Sequence, residues 1–184
     1  MGRKLLFASD LHGSASACEL VLKRFSMEKA LRMILLGDLL YHGPRNHFPE
    51  RYDPGAVAAL LNGFSPAPVC VRGNCDSEVD QMVLNFPIMA DSALLLLEGS
   101  CCAFLTHGHL YHSGNPPPHQ PGDVLIHGHT HLPRAMQTED YIYLNPGSAA
   151  LPKEGWPPSY MIYEDGLFTI KTMEGEPLLE YRIG

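Results

Sequence analysis

Apolar residues along this chain gather into short continuous runs of strand length, and most runs stop abruptly at a polar residue beside a glycine. Lys4–Ala8, Arg32–Leu36 and Val69–Arg72 are three such runs. Between them the apolar positions fall at helical spacing. Ser16-Ala-Cys-Glu19 reads as a capping box, with Val21, Leu22 and Phe25 continuing an inner face. Asp53-Pro54 reads as an N-cap followed by proline at the first helical position, with Val57, Leu60 and Leu61 facing inward. Asp76 is expected to cap a third helix whose inner face is Val79, Met82 and Val83, with orientation of a neighbouring histidine as the alternative.

From Ala93 onward the texture is strand-like. Ala93–Leu97 and Cys101–Thr106 predict a hairpin turning at Gly99-Ser100. The stretch Asp123–His131 begins as a short buried strand, and Arg134–Thr138, Tyr141–Leu144, Ser159–Tyr163 and Leu167–Thr172 follow as further strands. A β-α-β-α-β half followed by mostly strands predicts an α/β core whose sheet system gains a second, strand-rich layer. No repeat, low-complexity tract or linker interrupts the chain, so residues 1–184 are read as one domain.

Composition fits that picture. With 184 residues, 45% hydrophobic and 18% charged, the chain has enough apolar content for a sizeable core. The net charge of −7, without basic clusters, argues against strong nucleic-acid binding. The N-terminal apolar run is cut off at Asp10, too short for a signal-peptide core, and no stretch approaches transmembrane length. Gly2 invites a myristoylation reading, but Leu6 occupies the position that wants Ser or Thr. Five cysteines without CxxC spacing argue against a disulfide framework or a zinc ribbon, and the expected compartment is a reducing cytoplasm.

The chemistry gathers where the runs end. Five polar motifs follow five predicted strands: Asp10-Leu-His12, Gly37-Asp38, Gly73-Asn-Cys-Asp76, Thr106-His-Gly-His109 and Gly128-His-Thr-His131. In open α/β sheets, sites collect at the carboxyl ends of strands. His129 and His131, two apart in an extended segment, would point to the same side, so two imidazoles could converge on one point. Nitrogen and oxygen donors without thiolate fit Mn, Fe, Co, Ni or Zn rather than Ca. Too many candidate ligands are present for one closed tetrahedral zinc site.

As an ordered set these motifs resemble the calcineurin-like metallophosphoesterase superfamily. Gly73-Asn-Cys-Asp76 and Asn145-Pro-Gly-Ser148 resemble its small bacterial and archaeal phosphodiesterase branch (YfcE-like). The resemblance implies an αββα sandwich of four layers, two mixed β-sheets flanked by helices, with a two-metal site. Carried over by motif, one metal would take Asp10, His12 and His131, the second Asn74, His107 and His129, and Asp38 would bridge them. His109 is the alternative to His107. The implied ions are two divalent metals, Mn2+ first, with Zn, Fe, Ni and Co also compatible. The implied reaction is attack of a metal-bridging hydroxide on a small phosphodiester, giving a monoester and an alcohol. Two dications, two carboxylates and a hydroxide leave such a centre near about +1, which suits a singly charged diester better than a dianionic monoester.

Many relatives carry His where this chain has Cys75, and there the His helps protonate the leaving group. A thiol is a differently tuned acid, so Cys75 and His109 are both candidates for that role. The resemblance makes Asp38 the bridging catalytic carboxylate. Arg72, His42 and Arg45 are candidates for substrate binding, with a surface ion pair the equal alternative for Arg72. By alternation His127 faces away from His129 and is expected to be structural or to support the ligands from behind, and Asn145-Pro-Gly-Ser148 to hydrogen-bond metal ligands. Two other readings stand beside the diesterase: a phosphomonoesterase of the same superfamily, and an interaction scaffold like the retromer subunit Vps29, in which the metal site is degraded. His12, lost in that relative, is present here. The aromatic residues of the C-terminal strands fit either self-association to a homo-oligomer or a core role.

Overall fold

The computed structural model describes residues 4–98 and 101–183, so the predicted turn at Gly99-Ser100 and Gly2 lie outside the described residues. Among the described residues, eleven strands form two mixed sheets. The first contains β1 (Leu5–Ala8), β2 (Arg32–Leu35), β3 (Val69–Cys70), β9 (Ser159–Glu164), β10 (Leu167–Thr172) and β11 (Pro177–Arg182), in the order β11-β10-β9-β1-β2-β3. β1, β2 and β3 run parallel, and β9 returns antiparallel to β1. The second contains β4 (Ser92–Leu96), β5 (Cys102–Thr106), β6 (Val124–Ile126), β7 (Pro133–Gln137) and β8 (Ile142–Pro146), in the order β4-β5-β6-β8-β7.

Strand alternation divides the core. In β1, Leu5 and Phe7 enter the cluster between the sheets, whereas Leu6 and Ala8 face the helices. Helices α1 (Ala15–Glu28) and α2 (Pro54–Asn62) cover that outer face through Cys18, Val21, Phe25, Val57 and Leu61. Asp53 caps α2 as expected, its carboxylate accepting the Ala56 N–H at 2.9 Å. The cap of α1 is Ser14 rather than Ser16: its Oγ accepts the Ala17 N–H at 3.2 Å.

The third helix, α3 (Glu78–Val83), differs more. Ser77 caps it, and Asp80 closes the capping box. Val79, Met82 and Val83, expected to face inward, are 69%, 84% and 50% exposed, because this six-residue helix packs no face against the core. The predicted α/β sandwich of two mixed sheets is observed. On the outer face of the second sheet, the Pro-rich segment 115–122 lies over Phe104, Leu125 and Tyr141 where the resemblance implied a helix. β11 was not predicted; Pro-Leu-Leu-Glu-Tyr-Arg carries no clean alternation. Tyr160, Tyr163 and Phe168 are buried, so the aromatic content of β9 and β10 is core packing.

The two sheets place β1, β2, β3, β5 and β6 so that the loops after them meet. Beyond its last paired residue β1 still follows β2: Asp10 N–H donates to Gly37 O at 3.1 Å and His12 N–H to Asp38 O at 2.9 Å. Ser148 joins from β8, its hydroxyl donating to Asp10 O at 2.9 Å.

Candidate metal centre

Seven side chains from these loops form two adjoining groups. In the first, His131 Nε2 lies 3.2 Å from Asp10 Oδ1 and 3.3 Å from His12 Nε2. In the second, His107 Nε2 lies 3.1 Å from Asn74 Oδ1 and 3.2 Å from His129 Nδ1. Asp38 stands between them, its Oδ2 3.6 Å from His12 Nε2 and 3.4 Å from His107 Nε2. Asp10, His12, Asp38, His107 and His131 are all buried.

The histidines do not converge as an extended pair. The strand ends at Ile126, and His129 and His131 adopt positive φ, +65° and +62°, so the chain turns left-handed at each and sends one ring to each group. Asp10, His12 and Asp38 share that conformation, with φ of +58°, +47° and +56°. Non-glycine residues pay about 1 kcal/mol or more to sit there, and such strain gathers at functional sites. Two glycines permit the close approach. A Cβ on Gly128 would stand 1.9 Å from Ser9 Oγ and 2.7 Å from Asp10 Oδ2, and one on Gly73 would stand 2.0 Å from Asp38 Oδ1.

Backbone carbonyls set the tautomers. His12 Nδ1 donates to Tyr41 O at 2.8 Å, His107 Nδ1 to Leu36 O at 2.6 Å and His131 Nδ1 to Leu151 O at 2.5 Å. A carbonyl only accepts, so the proton sits on Nδ1 and a neutral ring turns its Nε2 lone pair into the site. Lone pairs therefore face one another between His12 and His131, and between His107 and the Asn74 carbonyl oxygen. Asp10 Oδ1 is buried with no hydrogen-bond donor among the described residues, while Oδ2 accepts the His129 N–H at 3.0 Å. Facing acceptors around an orphaned carboxylate oxygen are the donor set a divalent cation satisfies.

Without a cation, protons take that place. Burial alone would raise the Asp10 carboxyl, but the His12 and His131 rings hold it well below the carboxylate range. Burial works against the charged form of His107, yet the Asp38 and Asp10 carboxylates outweigh it and push that ring up from 6.5 to about 9. His129, disfavoured by burial and by His107, drops to about 4. A raised imidazole adds stability below 6.5 that is lost as the pH climbs through 9. The metal-free protein is therefore expected to lose of order 2 kcal/mol of stability between about pH 6.5 and 9. Thermal melts in chelator across that range check this; a flat profile would contradict the His107–Asp38 pairing.

The remaining candidates separate. Cys75 lies on the cleft wall, and its N–H donates to Asp38 Oδ1 at 2.8 Å. Burial and Asp38 push its thiol up to about 12, so it holds its proton. His109 stands outside the cleft lining, its ring centre 5.5 Å from that of His107, with a buried Nδ1 that has no partner among the described residues. Arg72 pairs with Asp91 at 2.7 Å, the ion-pair alternative. His42 packs among Tyr41, Phe48 and Tyr52 rather than facing the cleft, and so anchors the loop that carries Arg45, which does line it. His127 is structural, stacked on Tyr143 at 4.7 Å.

Two features escaped the sequence reading. Asp76 does not cap α3; its carboxylate accepts the N–H groups of Asp38, Leu39 and Gly73, each at 2.8 Å. Lys153 lines the cleft, its N–H 3.4 Å from His131 O. Asn145 and Ser148 act on backbone around the histidines rather than on their rings, Asn145 donating to Gly128 O at 2.9 Å and Ser148 accepting the Leu151 N–H at 2.8 Å.

Residues 4–165 match the calcineurin-like phosphoesterase superfamily domain. Phosphodiesterase YfcE of Escherichia coli K12 is 47% identical over 176 residues, 96% of this chain and 95% of its own. The solved structure of E. coli YfcE, described as a phosphoesterase, superposes with a TM-score of 0.95 at 45% identity, covering 98% of this chain and all of that one. Vps29 of Chaetomium thermophilum shares the fold alone, at a TM-score of 0.61 and 19% identity over 99% of this chain and 100% of its own.

Proposed function

The chain belongs to the calcineurin-like phosphoesterase superfamily, and on that premise we propose that it is a hydrolase with two divalent metals that cleaves a small phosphodiester to a monoester and an alcohol. The observation that carries this reading is the paired set of facing lone pairs on either side of Asp38 Oδ2, at the wall of an open cleft of about 310 Å3.

Asp10, His12 and His131 would hold one ion, and Asn74, His107 and His129 the other. Asp38 would serve both, its Oδ1 already fixed by the Cys75 N–H. When bound, such ions polarise the phosphoryl oxygens and make a hydroxide nucleophile available near neutral pH. The chain supplies the rest. Carbonyls of Leu36, Tyr41 and Leu151 lock three rings in the donor tautomer, and the neutral Asn74 amide limits the negative charge of the site. Mn2+ is the ion we assign first, with Zn, Fe, Co and Ni fitting the same donors. Since Cys75 keeps its proton and His109 lies off the cleft, leaving groups that are stable as anions should depart fastest.

No helix of the described residues is long and apolar enough to cross a membrane. All five cysteines are free thiols, which suits the reducing cytoplasm we assign as the compartment.

The test strips the purified protein with chelator, restores single metals and follows bis-p-nitrophenyl phosphate against p-nitrophenyl phosphate. The expected result is Mn2+-restored hydrolysis favouring the diester by about tenfold or more, a ratio worth ~1.4 kcal/mol. Faster monoester turnover would replace the reading with a phosphomonoesterase. A folded, metal-loaded protein inert toward both esters would bring forward the scaffold.

A further inference from the structure

We propose that the natural substrate carries a second anionic group, a phosphate, besides the scissile diester, and that Arg45 and Lys153 bind it; this deepens, and rests on, the phosphodiesterase reading.

The cleft extends past the metal-facing donors, and its further walls come from two loops. One follows β2 and brings Gly43, Pro44, Arg45 and Asn46; the other follows β8 and brings Lys153. Asp38 is the sole carboxylate among the described residues lining the cleft, and two metals would absorb its charge. Arg45 and Lys153 are both exposed there, and neither forms an ion pair among the described residues. Lysine and arginine are scarce, 13 against 20 acidic residues, and Arg45 and Lys153 are the two that line this cleft among the described residues. Two uncompensated cations on one cleft of an acidic protein mark the place where it attracts an anion.

The cations enter from opposite groups of the centre. Lys153 is tied to His131 by its backbone N–H, and Arg45 rides a loop that approaches Cys75, where a Cβ on Gly43 would stand 3.1 Å from Cys75 Sγ. That loop is held in shape: Asn46 Nδ2 donates to His42 O at 2.8 Å, and His42 is packed among aromatic rings. Charge selects the group. A loaded centre near about +1 already balances a singly charged diester, so two further cations match a dianion, as a terminal phosphate is. A guanidinium and an ammonium are also the side chains that grip phosphate oxygens best.

The experiment uses the Mn2+-loaded full chain and two probes, thymidine 5′-(p-nitrophenyl phosphate) and the same ester bearing a 3′-phosphate. The extra phosphate should raise kcat/KM by about tenfold, mainly through a lower KM, and added salt should erode the gain. Lys153→Met and Arg45→Met should each cut the ratio between probes by about threefold, and the double variant should bring it near unity. Binding gives a second readout. By titration calorimetry the Mn2+-loaded chain should bind thymidine 3′,5′-bisphosphate in preference to thymidine 5′-monophosphate. Equal kcat/KM for the two probes, or a preference that survives the double variant, would overturn the second-phosphate site while leaving the diesterase intact. A metal-loaded protein that turns over neither probe nor bis-p-nitrophenyl phosphate would remove the diesterase reading itself.

Discussion

Replacing Asp38 by Asn is expected to lower diester hydrolysis by about 10³-fold or more and to leave one metal or none bound per chain. The residue is 2% exposed and divides its oxygens between two tasks. Oδ1 accepts the Cys75 N–H, which fixes the carboxylate; Oδ2 faces His12 on one side and His107 on the other. Asparagine keeps the shape and, with its carbonyl toward Cys75, presents an –NH2 to both groups. That removes the negative charge the two cations would share and substitutes donors where an acceptor is required. The fold should survive, because the substitution is isosteric and leaves the Cys75 bond in place. A second effect should accompany the loss. Burial opposes the charged form of His107, and without its Asp38 partner the ring should fall back toward ordinary imidazole values, flattening the stability change of the metal-free protein above pH 6.5. Metal analysis, turnover of bis-p-nitrophenyl phosphate and thermal melts at two pH values measure all three. Turnover within about tenfold of the parent would show that Asp38 does not serve both groups.

The strand-end motifs were legible because each puts a metal-binding residue type where a buried apolar run stops, and five such stops in order leave little room for coincidence. Backbone handedness was not. His129 and His131 read as an extended i, i+2 pair, yet positive φ at both sends them to different groups. Polar patterning does not encode the sign of φ; the neighbouring Gly128, with no room for a Cβ, is the trace it leaves. Val79, Met82 and Val83 fit helical spacing equally well whether or not a core stands opposite, and here none does. Lys153 is a solitary loop cation until β8 and the following turn carry it beside His131. His42 carried a metal-binding or substrate-binding residue type but is spent on aromatic packing with Phe48 and Tyr52, a contact between loop residues with no periodic signal.

Asp76 sets the hardest case, because an N-cap and a loop tether use the same chemistry, a carboxylate accepting backbone N–H groups. The structure separates them: Ser77 caps α3, while Asp76 Oδ2 takes the N–H groups of Asp38 and Gly73 and Oδ1 that of Leu39. One side chain thus ties the loop that carries Asp38 to the loop that carries Asn74. Burial pushes its carboxyl up even though three N–H groups favour the charged form, so the tether is held at a desolvation cost. Asp76→Ala would strand three buried N–H groups at about 1–3 kcal/mol each. The expected outcome is a melting temperature lower by roughly 10 °C or more and diester turnover down by about 100-fold, with weakened metal binding. Asp76→Asn should fall between, since its carbonyl oxygen still accepts but its –NH2 opposes an N–H. Ser77→Ala is the control. It removes the helix cap, should cost only about 1 kcal/mol, and should leave metal binding nearly untouched, because α3 buries nothing and holds no ligand. A large gap between the two alanine variants, in metal titration as well as in melting, assigns Asp76 to the loops. Equal and small losses would return it to the helix.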